Sequence, residues 1–364
     1  MTSQHLVRRL GDVGIGDRAA VGGKGASLGE LARAGMRVPA GYVVTAQAFE
    51  RGIAALDPQG AIRREIEQLP GGGGAIAEAT AAIRHRIATA PLPGDLHEAI
   101  TASYRRLAHD GGEPDNCDLP VAVRSSATSE DTADASFAGV ADTYLWVRGA
   151  ESVVDSVRRC WASLYNTEAV SYRLRNKIGE LGLAMGVVIQ RMVDPRCAGV
   201  MFTCSPTTGD RSVVAIEGSW GLGSVLVSGE VTPDSYVVSK VTGEIVRRTV
   251  SAKLRLHRLD QAGSGVTADD VPEELREQAC LSDDEVRALA RVAQQVEDHY
   301  GTPQDIEWAL TGGGVGDGIV LLQSRHETVW TPRAAKPIAT PKPRAVDHVF
   351  EHLSRVVPVV APER

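Results

Sequence analysis

Cysteine is sparse and unpatterned in this 364-residue chain. Its five residues, Cys117, Cys160, Cys197, Cys204 and Cys280, are odd in number and contain no CxxC pair. That excludes a legible disulfide framework or zinc site, and reduced, mostly buried thiols are expected. Long apolar runs are also missing: no stretch reaches about eighteen apolar residues, and Arg8 and Arg9 are followed by no apolar segment of the signal-peptide kind. Neither a membrane span nor a secretory leader is expected, and a cytoplasmic location is.

Positive charge is in deficit. The 39 Lys and Arg residues against 46 Asp and Glu leave a formal charge of -7, which argues against a broad footprint for nucleic acid or anionic lipid but leaves room for local cationic pockets. Only six of those 39 are lysines, so Lys24, enclosed by Gly22, Gly23 and Gly25, stands out. Familiar signatures are absent too. There is no GxGxxG and no HExxH, and the run at Gly22 fails the Walker A pattern because Arg18 replaces its first glycine and Gly25 its Ser or Thr.

What remains is a globular composition, with 43% hydrophobic and 23% charged residues, and a length that suits two or three domains. The first stretch reads as a short strand, the glycine turn, a helix over about 26–34 and a strand at 42–44, with Thr45 capping a further helix. Residues 61–110 carry helical spacing in Ile62, Ile66, Ile76, Ile83 and Ile87. Strands follow at 119–124 and 142–147, flanking a loop over 125–139, then helices between 151 and 176. Residues 186–193 form a nearly continuous apolar strand whose one polar residue is Gln190, which marks it as central. Further strands are expected at 199–203, 212–217, 235–239 and 244–248, then an acidic stretch read as solvated surface and a helix over 282–300. A hairpin pairs 305–310 with 318–325, and beyond Trp330 the chain turns proline-rich, so the body is expected to stop near 330.

In that hairpin alternation places Asp305 and Glu307 on one side, and Gln323 and Arg325 together on the partner strand. If the two polar faces coincide, carboxylates, a carboxamide and a guanidinium converge as ligands for magnesium and polyphosphate; otherwise this is an ordinary hairpin with a cross-strand ion pair. The Gly22–Gly25 turn either holds an anion on its amides and Lys24 or is a plain strand-to-helix turn. The loop after Arg124 suits either a lid over phosphates or a simple surface loop. Glu217, ending a strand before a glycine-rich turn, could bind a ribose or a metal, or cap the turn.

Taken in order, GGKGASLGEL from Gly22, PAGYVVT from Pro39, VAVRSSATSED from Val121, SFAG from Ser136, VVIQRMV from Val187, AGVMFTCSP from Ala198, EGSWGLG from Glu217, SGEVTPD from Ser228, QDIEW from Gln304 and LQSR from Leu322 resemble one family. It is the ATP-binding domain of phosphoenolpyruvate synthase and pyruvate phosphate dikinase, shared with rifampicin phosphotransferase and phenylphosphate synthase. The resemblance implies an α+β fold of ATP-grasp type, with two lobes clamping ATP: residues 1–195 with a helical insert over about 61–110, and 196–330 with the hairpin, followed by a tail over 331–364. It implies ATP and Mg2+ as cofactors. Lys24, Arg124 and Arg325 become the catalytic cations, with Gly139 in the loop above the phosphates, Thr143 in the ATP site and Gln190 at the adenine. Glu217 joins the ATP site, and Glu307 and Gln323 become metal ligands with Asp305 beside them. The reaction implied passes the β-phosphate of ATP to a histidine and releases AMP and phosphate.

None of the nine histidines is followed by alanine, whereas the family's phosphorylated histidine lies in a Thr-Ser-His-Ala stretch. A partner chain carrying that histidine is therefore expected, as in the split phenylphosphate synthase, with a small-molecule final acceptor and no nucleic acid or membrane partner; a piece of a longer protein would read the same way. His326 stands where the family generally has proline, either as a neutral strand-end change or as a partner contact. The rival readings are an ATP-grasp ligase that releases ADP and a non-catalytic ATP-binding module.

Overall fold

The computed structural model describes residues 5–69, 73–112, 118–128, 142–176, 178–179, 182–260, 265–312 and 318–330. The chain divides into Met1–Glu327 and Thr328–Arg364, and every element described lies in the first unit.

The N-terminal elements are β1 (Val7–Arg9), α1 (Arg18–Arg33), β2 (Gly41–Val44) and α2 (Ala46–Leu56). Helix α1 is broken at Gly22, whose φ of 75° and ψ of 174° no helical residue adopts, so the expected glycine turn is a kink near its start and the helix proper begins earlier than position 26. Thr45 caps α2 as expected, its Oγ1 accepting from the Ala48 amide at 3.3 Å. Three helices fill the stretch with isoleucine spacing: α3 (Ala61–Glu67), α4 (Gly73–Thr89) and α5 (Gly94–Asp110). All five of the isoleucines named above are buried there. Next come β3 (Val121–Ala127), β4 (Thr143–Val147), α6 (Ala150–Ser163), α7 (Thr167–Arg175) and β5 (Met185–Arg191).

These strands form one antiparallel sheet in the order β1-β2-β5-β3-β4, with β5 in the centre. Its two faces meet different partners because successive side chains alternate. Val121, Val123, Val187 and Ile189 point into a core shared with the helices between α2 and α7. Val43 and Val188 point the other way, against Val21, Ala26 and Leu28 of α1.

The second half contains β6 (Cys197–Phe202), β7 (Val213–Trp220), α8 (Ser224–Val227), β8 (Asp234–Ser239), β9 (Ile245–Thr249), β10 (Arg255–Leu259), β11 (Val266–Asp270), α9 (Glu273–Arg276), α10 (Asp283–Tyr300), β12 (Gln304–Leu310) and β13 (Ile319–His326). Six of the strands make a second antiparallel sheet, ordered β13-β12-β6-β7-β8-β9. Helix α10 starts at a Ser282–Glu285 capping box and lays Val286, Leu289, Ala293 and Val296 against Met201, Ile216, Ile306 and Trp308. Leu31 of α1 belongs to this core as well, so one helix serves both sheets.

Part of the stretch read as acidic surface is structured. β10 and β11 pair as a two-stranded antiparallel sheet, crossed by ion pairs Arg255–Asp270 and Arg258–Asp269. Charged residues on nearly every outward position hid the strand alternation there. The connection leading into this sheet is anchored by a fully buried ion pair. Asp234 accepts from Lys253 Nζ at 2.6 Å, from the Ser251 amide at 3.0 Å and from the Cys280 amide at 2.8 Å, and both side chains are 0% exposed. The four described cysteines, Cys160, Cys197, Cys204 and Cys280, are free and buried. No described helix is long and apolar enough to cross a membrane.

Candidate functional site

The face of the six-stranded sheet turned away from α10 carries a cross-strand row. Gln323 pairs with Glu307, Glu307 with Val200, Val200 with Glu217 and Glu217 with Ser235. One row along, Arg325 pairs with Asp305 and donates from Nε to its Oδ2 at 3.2 Å. The hairpin faces therefore coincide in the way alternation predicts.

Arg124, on β3 of the other sheet, reaches this row. Its Nη2 donates to Glu307 Oε2 and to Gln323 Oε1, both at 2.9 Å, and its Nη1 donates to the Leu322 carbonyl at 2.7 Å. The two acceptor oxygens thus converge on a single nitrogen. With the Arg124 side chain only 12% exposed, the pair sits where charge is weakly screened and geometry is fixed.

The glycine loop is fastened to the same strand. Ser126 Oγ donates to the Val21 carbonyl at 2.8 Å and accepts from the Gly25 amide at 3.0 Å. β3 itself runs on through Ser125 and Ser126, paired with Val187 and Gly186 of β5, instead of ending at Arg124. Lys24 belongs to that loop, two strand residues from Arg124 through the Ser126 anchor. Burial holds the nearby Cys160 thiol above its ordinary range; Asp142 adds to this, while the charges of Arg159 and Lys24 oppose it.

The remaining expected residues spread around this centre. Thr143 is the cross-strand neighbour of Arg124 and is exposed. Gln190 is buried on the central strand opposite Ala122, and its Nε2 donates to the Pro39 carbonyl at 3.3 Å. Glu217 shares the row with Glu307 but lies two strands off, about 10 Å at ordinary strand spacing. Gly139 lies outside the described residues. His326 accepts at Nδ1 from Gln304 Nε2 at 2.8 Å and lies 2.9 Å from Thr302 Oγ1, so its ring serves the strand end.

Sequence reasoning missed the serines that join α1 to the hairpin. Ser27 Oγ donates to the Ser324 carbonyl at 2.6 Å, and Tyr300 OH donates to the Ser27 carbonyl at 3.3 Å. Ser324 Oγ in turn donates to Gln304 Oε1 at 3.0 Å. The available signal was small polar residues flanking every charged one, as in GKGAS, RSS and QSR.

The oxygen set fits a hard divalent ion: one carboxylate, one carboxamide, and Asp305 Oδ1, which is buried with no hydrogen-bond partner. Burial raises the Asp305 carboxyl above the usual range more than Arg325 lowers it, and Glu327 adds to the rise. The stability attached to that group is fully present below the ordinary value of about 3.9 and is lost as pH rises through the shifted one. Asp305→Asn should remove the loss. Thermal unfolding without nucleotide or divalent ion is expected to shift up by about 2 °C at neutral pH and not at all near pH 3; an equal shift at both would refute the assignment.

A family model described as "Pyruvate phosphate dikinase, AMP/ATP-binding domain" matches residues 18–345. The chain is 43% identical to a probable phosphoenolpyruvate synthase of Methanothermobacter thermautotrophicus, covering 87% of this chain and 45% of that one. It is 41% identical to a rifampicin phosphotransferase of a Streptomyces species, covering 91% and 37%. It is 39% identical to a phosphoenolpyruvate synthase of Aeropyrum pernix, covering 93% and 44%. The chain thus spans less than half the length of these relatives. Every strand but β1, the anchored glycine loop and the converging oxygens fall within the matched segment, and the chain belongs to the pyruvate phosphate dikinase AMP/ATP-binding domain family.

Proposed function

We propose that this chain is the ATP-binding part of a dikinase-type phosphotransferase, an ATP-grasp body in which residues 1–195 and 196–330 act as lobes. The observation that carries the reading is the meeting of Arg124 with Glu307 and Gln323 across the two sheets. Phosphoryl transfer needs positioning and charge neutralisation more than covalent help. Lys24, Arg124 and Arg325 are assigned to the triphosphate, with Gly139 and Thr143 beside it, Gln190 at the base and Glu217 at the ribose or metal.

Magnesium held by Glu307 and Gln323, with Asp305 close by, would supply charge neutralisation of the triphosphate. In the structure described, Arg124 donates to the same two oxygens; with an ion on them, its guanidinium would be released toward phosphate. The β-phosphate then passes to a histidine on a partner chain or on sequence outside this one, its bond to the α-phosphate breaking to leave AMP and its bond to the γ-phosphate being hydrolysed by water to leave phosphate, and the histidine phosphorylates a small acceptor such as a phenol, pyruvate or another hydroxyl compound.

The nucleotide product tests this directly. With a phosphohistidine domain supplied, chromatography of the nucleotides should show AMP, and Arg325→Ala should lower its formation by about 10²-fold or more. ADP as product would replace the proposal with an acyl-phosphate ligase. Unchanged AMP formation in the variant would remove Arg325 from the mechanism.

A further inference from the structure

A second concavity of about 760 Å³ runs along β4, the outer edge strand of the five-stranded sheet. One wall is a stripe of α6 ending in Arg159, and the opposite wall contains Ser224 and His257. Such a volume suits a small organic ligand. At one end the groove adjoins the site above, since Thr143 lines it as well; its aromatic and cationic part lies on the other side of the strand. Tyr144 pairs with Val123 and therefore faces away from the side of the sheet that carries Arg124 and Thr143.

Two cations in this groove have no counter-ion among the described residues. Arg148 and Arg159 make no ion pair or hydrogen bond among the described residues, and their one contact of note is with an aromatic ring. Arg159 lies 4.2 Å from the centre of the Tyr144 ring and Arg148 lies 5.6 Å from that of Trp146. Stacking fixes a guanidinium without consuming its N–H groups, which stay directed outward in the plane of the fork. Tyr144 is itself held by donating its hydroxyl to Asp142 Oδ2 at 2.8 Å.

Trp146 is the one non-glycine residue described with positive φ, 61°. A bulky side chain pays for that conformation, and such outliers gather at ligand sites. Its indole is 6% exposed and lines the groove. Across the gap Ser224 Oγ and His257 Nδ1 are 2.8 Å apart, with Glu230 3.5 Å from His257 Nε2. That wall offers neutral hydrogen-bonding groups, and its carboxylate is already engaged.

We infer that this groove binds a small organic phosphate, its oxyanion on Arg148 and Arg159 and its apolar body against the β4 aromatics. Paired, ring-supported guanidiniums match a phosphate better than a single lysine would. The groove shares Thr143 with the ATP reading, but neither of its anion-binding residues, Arg148 and Arg159, is assigned to the triphosphate.

The test is calorimetric titration of the whole chain with 1-naphthyl phosphate, with and without saturating ATP and magnesium, and with 1-naphthol as the uncharged control. Binding is expected in both conditions, and naphthol should bind at least tenfold more weakly. The Arg148→Ala/Arg159→Ala double variant should lose about tenfold or more in affinity, while Arg175→Ala, another exposed arginine on the neighbouring helix, should lose none. Lysine at both groove positions should recover only part of the loss. The proposal is overturned by absence of naphthyl phosphate binding, by its displacement on adding ATP, by equal binding of naphthol, or by an unchanged constant in the double variant.

Discussion

Gly22→Ala is expected to cost this protein about 3 kcal/mol or more of stability and most of its nucleotide-dependent activity. Two independent costs meet at the position. The backbone pair of φ 75° and ψ 174° lies in a region essentially reserved for glycine and costs any residue with a Cβ roughly 1–3 kcal/mol. A Cβ would also sit 2.0 Å from the Ser126 carbonyl oxygen and 2.3 Å from its Oγ, so either the glycine loop or β3 must move. Both carry site residues: Lys24 follows the kink, and Arg124 lies two positions before Ser126. Gly35 provides the control, because its φ of 78° is similar while nothing lies within 4 Å of its added Cβ. Gly35→Ala should therefore pay only about 1 kcal/mol for the dihedral. Denaturant unfolding of the two variants compares them directly, and equal costs would show that the contact with Ser126 is unimportant.

The second large effect lies far from the nucleotide. Lys253→Met should destabilise the protein by about 3–5 kcal/mol, because it strands the Asp234 carboxylate in a site with no solvent access. The amides of Ser251 and Cys280 still donate to that carboxylate and keep the loss below that of a naked charge. Replacing both partners at once, Asp234→Leu with Lys253→Met, should recover part of the loss, since a buried pair contributes little net stability once its desolvation is counted. A double variant no more stable than the single one would show that the pair itself, and not the unpaired charge, is what matters.

Much of this was legible beforehand, for physical reasons that differ by element. The hairpin was readable because period-two alternation fixes both which residues share a face and, once the turn is placed, which residues pair: Asp305 with Arg325 and Glu307 with Gln323. The buried central strand showed as an unbroken apolar run, and the helices over 61–110 as isoleucines at turn spacing. What alternation cannot supply is contact between distant segments. The resemblance put Arg124, Glu307 and Gln323 in one nucleotide site, but nothing in the sequence foretold that Arg124 bridges the other two, because 183 residues separate Arg124 from Glu307. Lys253 gave no signal at all, since a lone lysine in a charged stretch looks solvated until the fold closes over it. The β10–β11 sheet was obscured because its stabilising cross-strand pairs are the same charges that made it look like surface.

Helix α1 carries one further consequence. It lends Leu28 to the core of one sheet and Leu31 to that of the other, and Ser27 ties it to the final strand. The two sheets therefore have a common axle on that side. Any movement of one sheet relative to the other would have to carry α1 away from one of its two cores.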